Sequence, residues 1–133
     1  MVKIGDVIFA IVNRPSITSI IGTNPVRLFP NVLPQKEDSD SLVYRINTNL
    51  ANATFSGAST LDHVMVDFFA YCRSKANAEA LTEILRSEID RTSGTFADVD
   101  VQMITYQDSG SDDWLDDIQF FTKQIEFKIT YRR

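Results

Sequence analysis

The chain has one histidine, His63, placed four residues before Asp67. In a strand, positions 63 and 67 point to the same side, so a His–Asp pair suited to general-base work is geometrically available. The nucleophile would have to be Cys72 or a serine. No serine sits in a G-x-S-x-G turn, and Cys72 lies an odd number of positions from His63, on the opposite face of one strand. Tyr71 shares the face of His63 and Asp67. An enzymatic or ligand-binding reading would therefore rest on these three residues and would need an enclosed pocket around them. Without a nucleophile beside it, His63 reads as a sheet-face or interface residue.

The segment Asp108-Ser109-Gly110-Ser111-Asp112-Asp113-Trp114-Leu115-Asp116-Asp117 holds five acids and no base. Oxygen ligands at that density suit a hard cation. The EF-hand order of alternating acids, glycine and distal glutamate is not met, so the expectation is a solvated acidic loop without metal. Trp114-Leu115 fits that loop poorly, because an apolar pair at its tip is better explained by contact with another chain. Asp112, Asp113, Trp114 and Leu115, with Phe55, Phe69 and Tyr71 from the strands, are the candidate interface residues. A single cysteine excludes an intramolecular disulfide and a multi-cysteine metal site. The five glycines form no phosphate-cradling loop, and the basic aromatic motif of an RNA-binding sheet is missing. Asn52-Ala53-Thr54 matches a glycosylation acceptor by chance, and Tyr131-Arg132-Arg133 reads as a solvated basic end. No cofactor and no catalytic residue is expected.

At 133 residues the chain is read as one domain, residues 1–133. Hydrophobic residues make up 44% and charged residues 23%, a globular balance with enough apolar content for a core. The first residues do not read as a signal peptide, and no apolar run has bilayer-spanning length. The expectation is a soluble chain with no membrane partner. A net charge of −5 disfavours a grip on nucleic acid, which depends on clustered Lys and Arg. The same excess suits a lumen through which DNA slides, or plain solubility.

The elements that would carry these residues follow from periodicity. Ile4, Val7, Ile8, Ile11 and Val12 recur at helical spacing over 4–13, and Pro15 ends that run. Residues 16–21 suggest a further helical turn, 26–29 a brief strand, and 34–41 a polar loop. Leu42 to Phe55 and Leu61 to Cys72 form two strands around a Ser/Gly turn, a long antiparallel hairpin with Val64, Val66, Phe68, Ala70 and Cys72 on one face. Ser74 caps a helix over about 75–91, with Ala78, Leu81, Leu85 and Ile89 as its stripe. A strand over 99–107, the acidic loop and a strand over 118–131 form a second hairpin. The expected fold class is α+β: an antiparallel, mostly four-stranded sheet of two long hairpins, with two helices packed on one face. The other face stays partly apolar, as a surface shielded by a partner would.

Arg27-Leu28-Phe29-Pro30 followed by Val32-Leu33-Pro34-Gln35, then Val43-Tyr44, Val66-Asp67-Phe68-Phe69-Ala70, Ala78-Glu79-Ala80-Leu81 with Leu85, and an aromatic-rich last strand resemble, in that order, the tail terminator (tail completion) proteins of long-tailed bacteriophages. The resemblance spans nearly the whole chain. It implies a non-enzymatic virion subunit that assembles as a hexameric ring, caps the tail tube, ends its polymerisation and offers the head–tail joining surface. The implied partners are other copies of the chain, the tail tube protein and the head–tail connector protein, with DNA passing through the lumen unbound. The implied location is the head-proximal end of the tail, reached from the host cytoplasm. Other readings of the same pattern are a different head–tail connector or adaptor, and the small α+β ligand-binding or enzymatic dimer.

Overall fold

The computed structural model describes residues 4–22, 26–34, 39–54, 57–116 and 119–132, with side chains described except at 48–54, 57–60 and 111–113. Its elements run α1 (Ile4–Val12), α2 (Pro15–Ile21), β1 (Leu28–Pro30), β2 (Ser41–Thr54), β3 (Gly57–Cys72), α3 (Lys75–Ile89), β4 (Gly94–Phe96), β5 (Val99–Leu115) and β6 (Phe120–Arg132).

The strands form one six-stranded sheet in the order β1-β2-β3-β6-β5-β4. β1 runs parallel to β2, and every other neighbouring pair is antiparallel. This corrects the expected architecture: six strands instead of four, a mixed sheet instead of an antiparallel one, and three helices instead of two. The two hairpins do form its centre, with β3 and β6 paired without a break from Leu61↔Arg132 to Cys72↔Phe121. The additions to the sheet are the three-residue edge strands β1, expected as a brief strand over 26–29 but not as part of the sheet, and β4, which was not expected. A segment as short as β4 carries no readable period, and it becomes a strand because a long neighbour offers it a ladder.

The expected acidic loop is the second correction. Residues 108–115 continue β5 against β6, with Asp112↔Lys123, Asp113↔Thr122 and Trp114↔Phe121 in register. Register shifts between Tyr106 and Asp108 and between Ser109 and Asp112 take up the extra residues. Bulges of this kind let Asp, Ser and Gly reside in a strand that their local preferences disfavour. Gly110 is placed by space, since a Cβ there would stand 2.9 Å from Gln124 Cβ.

The core lies on one face of the sheet. Val64, Val66, Phe68, Ala70 and Cys72 of β3, with Ile125, Phe127, Ile129 and Tyr131 of β6, pack against the buried stripes of the helices. α1 contributes Ile4, Val7, Ile8, Ile11 and Val12, and α3 contributes Ala78, Leu81, Leu85 and Ile89. Both sets follow the three-and-four spacing that puts side chains on one helical face. Phe68 and Phe127 meet edge-to-face at 5.9 Å in the middle of this layer. Ser74 caps α3 by accepting from the Asn77 N–H at 3.1 Å.

α1 and α2 meet at 96°. Pro15 starts α2, where its missing N–H is no loss. Arg14 fixes the corner: its Nε donates to Ile11 O at 3.1 Å, its Nη1 to Glu88 O at 2.5 Å, and its guanidinium lies 3.7 Å from the Glu88 carboxylate. The charge therefore sits on the last turn of α3, where carbonyls lack helical donors. Arg27 does the same for β1, with Nε donating to Asp40 O at 2.7 Å and Nη2 to Ile20 O at 3.0 Å. Among the described residues no single helix is long and apolar enough to cross a membrane.

Candidate functional site

With all the helices on one side, the other face of the sheet carries the residues whose chemistry the core does not use. Strand alternation sends Val43 and Arg45 of β2, His63, Met65, Asp67, Phe69 and Tyr71 of β3, and Phe120, Gln124, Glu126, Lys128 and Thr130 of β6 to this face. The registers bind them into rows. Arg45, Asp67, Glu126 and Asp108 form one row across β2, β3, β6 and β5. On one side of it lies Phe29–Val43–Phe69–Gln124, and on the other Met65–Lys128–Thr105. Phe29, Val43 and Phe69 thus flank one side of a charged strip, and the row on its other side is mixed.

Asp67 is the unusual member of that strip. It is only 6% exposed, although no helix covers it. The Asn47 amide donates to its Oδ2, while Oδ1 has no hydrogen-bond partner. Arg45, its neighbour in register, points its guanidinium over the Phe69 ring at 5.4 Å. On the other side Asp67 meets Glu126, another carboxyl. Burial raises the Glu126 pKa above the ordinary carboxylate range; the charge of Asp67 and a hydrogen bond to it raise it further, Asn47 works against this, and Asp108 adds a smaller rise. Such a rise favours a proton on Glu126 that is donated to Asp67.

The His63–Asp67 pair read from the sequence is on one face but not in contact. His63 Nδ1 bonds the Thr130 hydroxyl at 2.8 Å, across the β3–β6 register. Cys72 is buried on the helix side, and burial, followed by the charge of Asp40, pushes its thiol up to about 12. A thiol so shifted stays protonated at neutral pH and is a poor nucleophile. Tyr71 is half-buried and stands edge-on to Phe120 at 6.1 Å. Arg73 stacks over the other reach of Phe120 at 4.3 Å and donates to Gln119 O at 3.2 Å, leaving Phe120 1% exposed. A groove of about 360 Å³ on the helix side is lined by Glu83, Arg86, Ser87 and Asp90. Arg86 stacks on Tyr106 at 4.1 Å and Asp90 takes the Tyr106 N–H at 2.8 Å, so both charges are engaged within the fold. Among the described residues no three of His, Cys, Asp and Glu gather as they would around a metal ion.

The interface candidates divide in the structure. Phe69 and Tyr71 lie on the open face. Trp114 is 42% exposed, not at a loop tip but on a strand, 4.5 Å from the Phe121 ring. Leu115 follows it, half-buried, at the end of β5. Asp112 and Asp113 are placed by backbone register, but their side chains lie outside the described residues, and Phe55 lies outside altogether. Glu126, Asp108 and Asn47 were not anticipated. Asp108 was read as part of the acidic loop, and only the cross-strand register brings Glu126 and Asp108 into line with Asp67.

Two strand edges complete the surface. β1 covers β2 only at Leu42–Tyr44, so β2 from Arg45 onward has one unpaired side among the described residues. β4 covers β5 only at Val99–Val101, and Arg91 and Thr92 bond Ile104, which among the described residues leaves the outer side of β5 uncovered beyond Tyr106. Past Leu61↔Arg132, the β2–β3 ribbon continues with no third strand beside it among the described residues.

Neither a family model nor a curated protein matches the chain. Among solved structures it is similar to a chain of one described as "Virion of native gene transfer agent (GTA) particle", with a TM-score of 0.66 over 97% of this chain and 93% of that one. The two sequences are 8% identical. The likeness is one of fold.

Proposed function

We propose that this chain is a structural subunit of a phage-like virion, a tail terminator whose copies close into a ring, six by the sequence resemblance, on the end of the tail tube. The observation that carries this reading is the whole-length fold likeness to a chain of a gene transfer agent virion. The sequence resemblance narrows it to the terminator role and names the tail tube and head–tail connector as partners. The surface is suited to that work. Long strands with one side unpaired are templates for pairing with another chain, and monomeric proteins usually blunt them. Among the described residues two different edges are open, on β2 and β5. A contact between unlike patches generates a ring when its rotation closes. Catalysis has no part in this reading: His63 is held by Thr130, and Cys72 faces the core as a protonated thiol.

The test is genetic and direct. Particles produced without this chain should have tails of uncontrolled length that fail to join heads, and restoring it should correct both defects. Particles that mature normally without it would refute the proposal. Light scattering and negative-stain imaging of the purified protein should find rings, free or on tail tubes.

A further inference from the structure

We propose that neighbouring copies of this chain join by antiparallel pairing of the open edge of β2 in one with the open edge of β5 in the next, in the register that sets Ile46 opposite Trp114. The inference rests on the ring reading and supplies the contact that builds the ring. Among the described residues, β2 is open on one side from Arg45 to Thr54, and β5 from Gln107 to Leu115. The two stretches are nearly equal in length, and each is bounded by a stop. β1 lies beside Leu42–Tyr44, and β4 with Arg91 and Thr92 lies beside Val99–Ile104. An incoming β5 that ends at Leu115 therefore fits from Arg45 onward, which brings Trp114 to Ile46.

The side chains agree with that register. Among the described side chains of the two open stretches, Ile46 and Trp114 are the exposed large hydrophobics, at 40% and 42%. Both lie on the helix side of the sheet, since Ile46 is in register with Val66 of the core and Trp114 with Phe121, which packs against it. Residues directly opposite across an antiparallel pair share a face, so a single contact covers both. Charge points the same way. The open stretch of β5 holds Asp108, Asp112 and Asp113 and no base, while that of β2 holds Arg45 and no acid. Pairing β5 with β5 would set acid against acid, whereas β2 receives it without repulsion.

Direction and stagger also fit a ring. Three antiparallel steps separate β2 from β5, so a neighbour of like orientation presents its β5 antiparallel to β2. Within one copy Arg45 is level with Asp108, and across the contact it is level with Leu115. On β6 that is the step from Glu126 to Phe120, about 20 Å along the strands. The repeat β2-β3-β6-β5 is about 19 Å wide. The slope is about 45°, close to the tilt of about 35–45° that strands take in closed barrels. The short strands β1 and β4 thus set the stagger by blocking the unshifted register.

The test is oxidative cross-linking of the assembled protein. Opposed positions in such a pair have Cα atoms about 4.5–5.5 Å apart, within disulfide reach. In one chain the two positions are three strand spacings apart, about 14 Å, and cannot bridge. The chain carrying both Ile46→Cys and Trp114→Cys should form disulfide ladders up to the full ring, and neither single variant should form dimers. Cys72 is buried, so the wild type is the blank. Ile46→Glu sets an acid against the acidic strand at a position exposed in the free chain. It should keep the wild-type melting temperature and assemble about tenfold or more weakly. Dimers from Ile46→Cys alone would mean that copies meet about a two-fold axis, which overturns the pairing. Rings without cross-links in the double variant, or Ile46→Glu rings as strong as the wild type, would also overturn it while leaving the ring reading intact. A wild-type chain that stays monomeric in solution and on tail tubes would remove both.

Discussion

Replacing Gly110 by alanine should destabilise the chain, and the sign of that effect tests whether the acidic segment is a strand. Gly110 has no positive φ, so alanine suits its backbone. In a free loop the substitution would leave stability unchanged or raise it by about 0.4–1 kcal/mol, by restricting the unfolded chain. On β5 the added Cβ meets Gln124 of β6 at 2.5 Å from Oε1, 2.9 Å from Cβ and 3.2 Å from Cδ. The amide end can swing away. The Cβ cannot, because it is fixed to a backbone paired with Phe69 of β3 and held in β6 between the Ile125 and Lys123 pairings to β5. Cβ atoms directly opposite in a sheet normally stand about 4.5–5.5 Å apart, so one strand must move or the bulge must widen. Overpacking of that kind costs about 1–3 kcal/mol. Urea unfolding of Gly110→Ala should show a lower midpoint with an unchanged slope. Adding Gln124→Ala removes the Oε1 and Cδ contacts but keeps the 2.9 Å one, and should recover only part of the loss. Gln124→Gly removes all three and should bring the Gly110→Ala step to near zero. A Gly110→Ala protein as stable as the wild type would mean that residues 108–113 do not pair with β6, and the hairpin described here would be wrong.

Glu126 should give the chain an atypical pH profile. Its folded pKa is raised by burial and by Asp67, so the folded state binds a proton more tightly than the unfolded state does. The resulting stability is fully present below the ordinary glutamate range and is lost as pH rises through the raised folded value. Thermal melts should therefore show Glu126→Gln melting above the wild type at neutral pH, with the two converging as pH falls toward that ordinary range. Arg14→Ala should cost about 2–3 kcal/mol in urea unfolding, from loss of a charged bond to a helix-terminal carbonyl. Glu88→Gln should cost under about 1 kcal/mol, since that carboxylate is 40% exposed and 3.7 Å away while the bond from Arg14 goes to the main chain.

The parts of the fold that were legible are those where one period persists. Val64 to Cys72 alternates because one side of β3 faces helices, and Ala78, Leu81, Leu85 and Ile89 recur because one stripe of α3 faces β3 and β6. The parts that were not legible are formed by long-range pairing against local preference. Gly94-Thr95-Phe96 has a glycine that suggests a stop, and it is a strand because Val99–Val101 lies opposite. Asp108 to Asp113 has the composition of a turn, and it is a strand because β6 extends far enough to pair with it. Trp114 was singled out as an apolar residue misplaced among acids. Within the fold Trp114 lies against Phe121 across the hairpin and keeps 42% of its surface exposed.

The candidate site was hidden for a related reason. Asp67 was noticed for its distance in sequence from His63, and that spacing is right for one face of a strand. A sheet, however, sets neighbours across strands as well as along them. The two alignments that matter, Asp67 with Glu126 and Glu126 with Asp108, join positions far apart in the chain, and a slip of one residue would send Glu126 to the core side. The register is held by apolar packing on the other face, where Phe68 and Val66 lie opposite Ile125 and Phe127. The core therefore fixes where the carboxyls meet, and within the fold their repulsion is answered by the Asn47 amide on Asp67 and by the raised Glu126 pKa, which favours a shared proton.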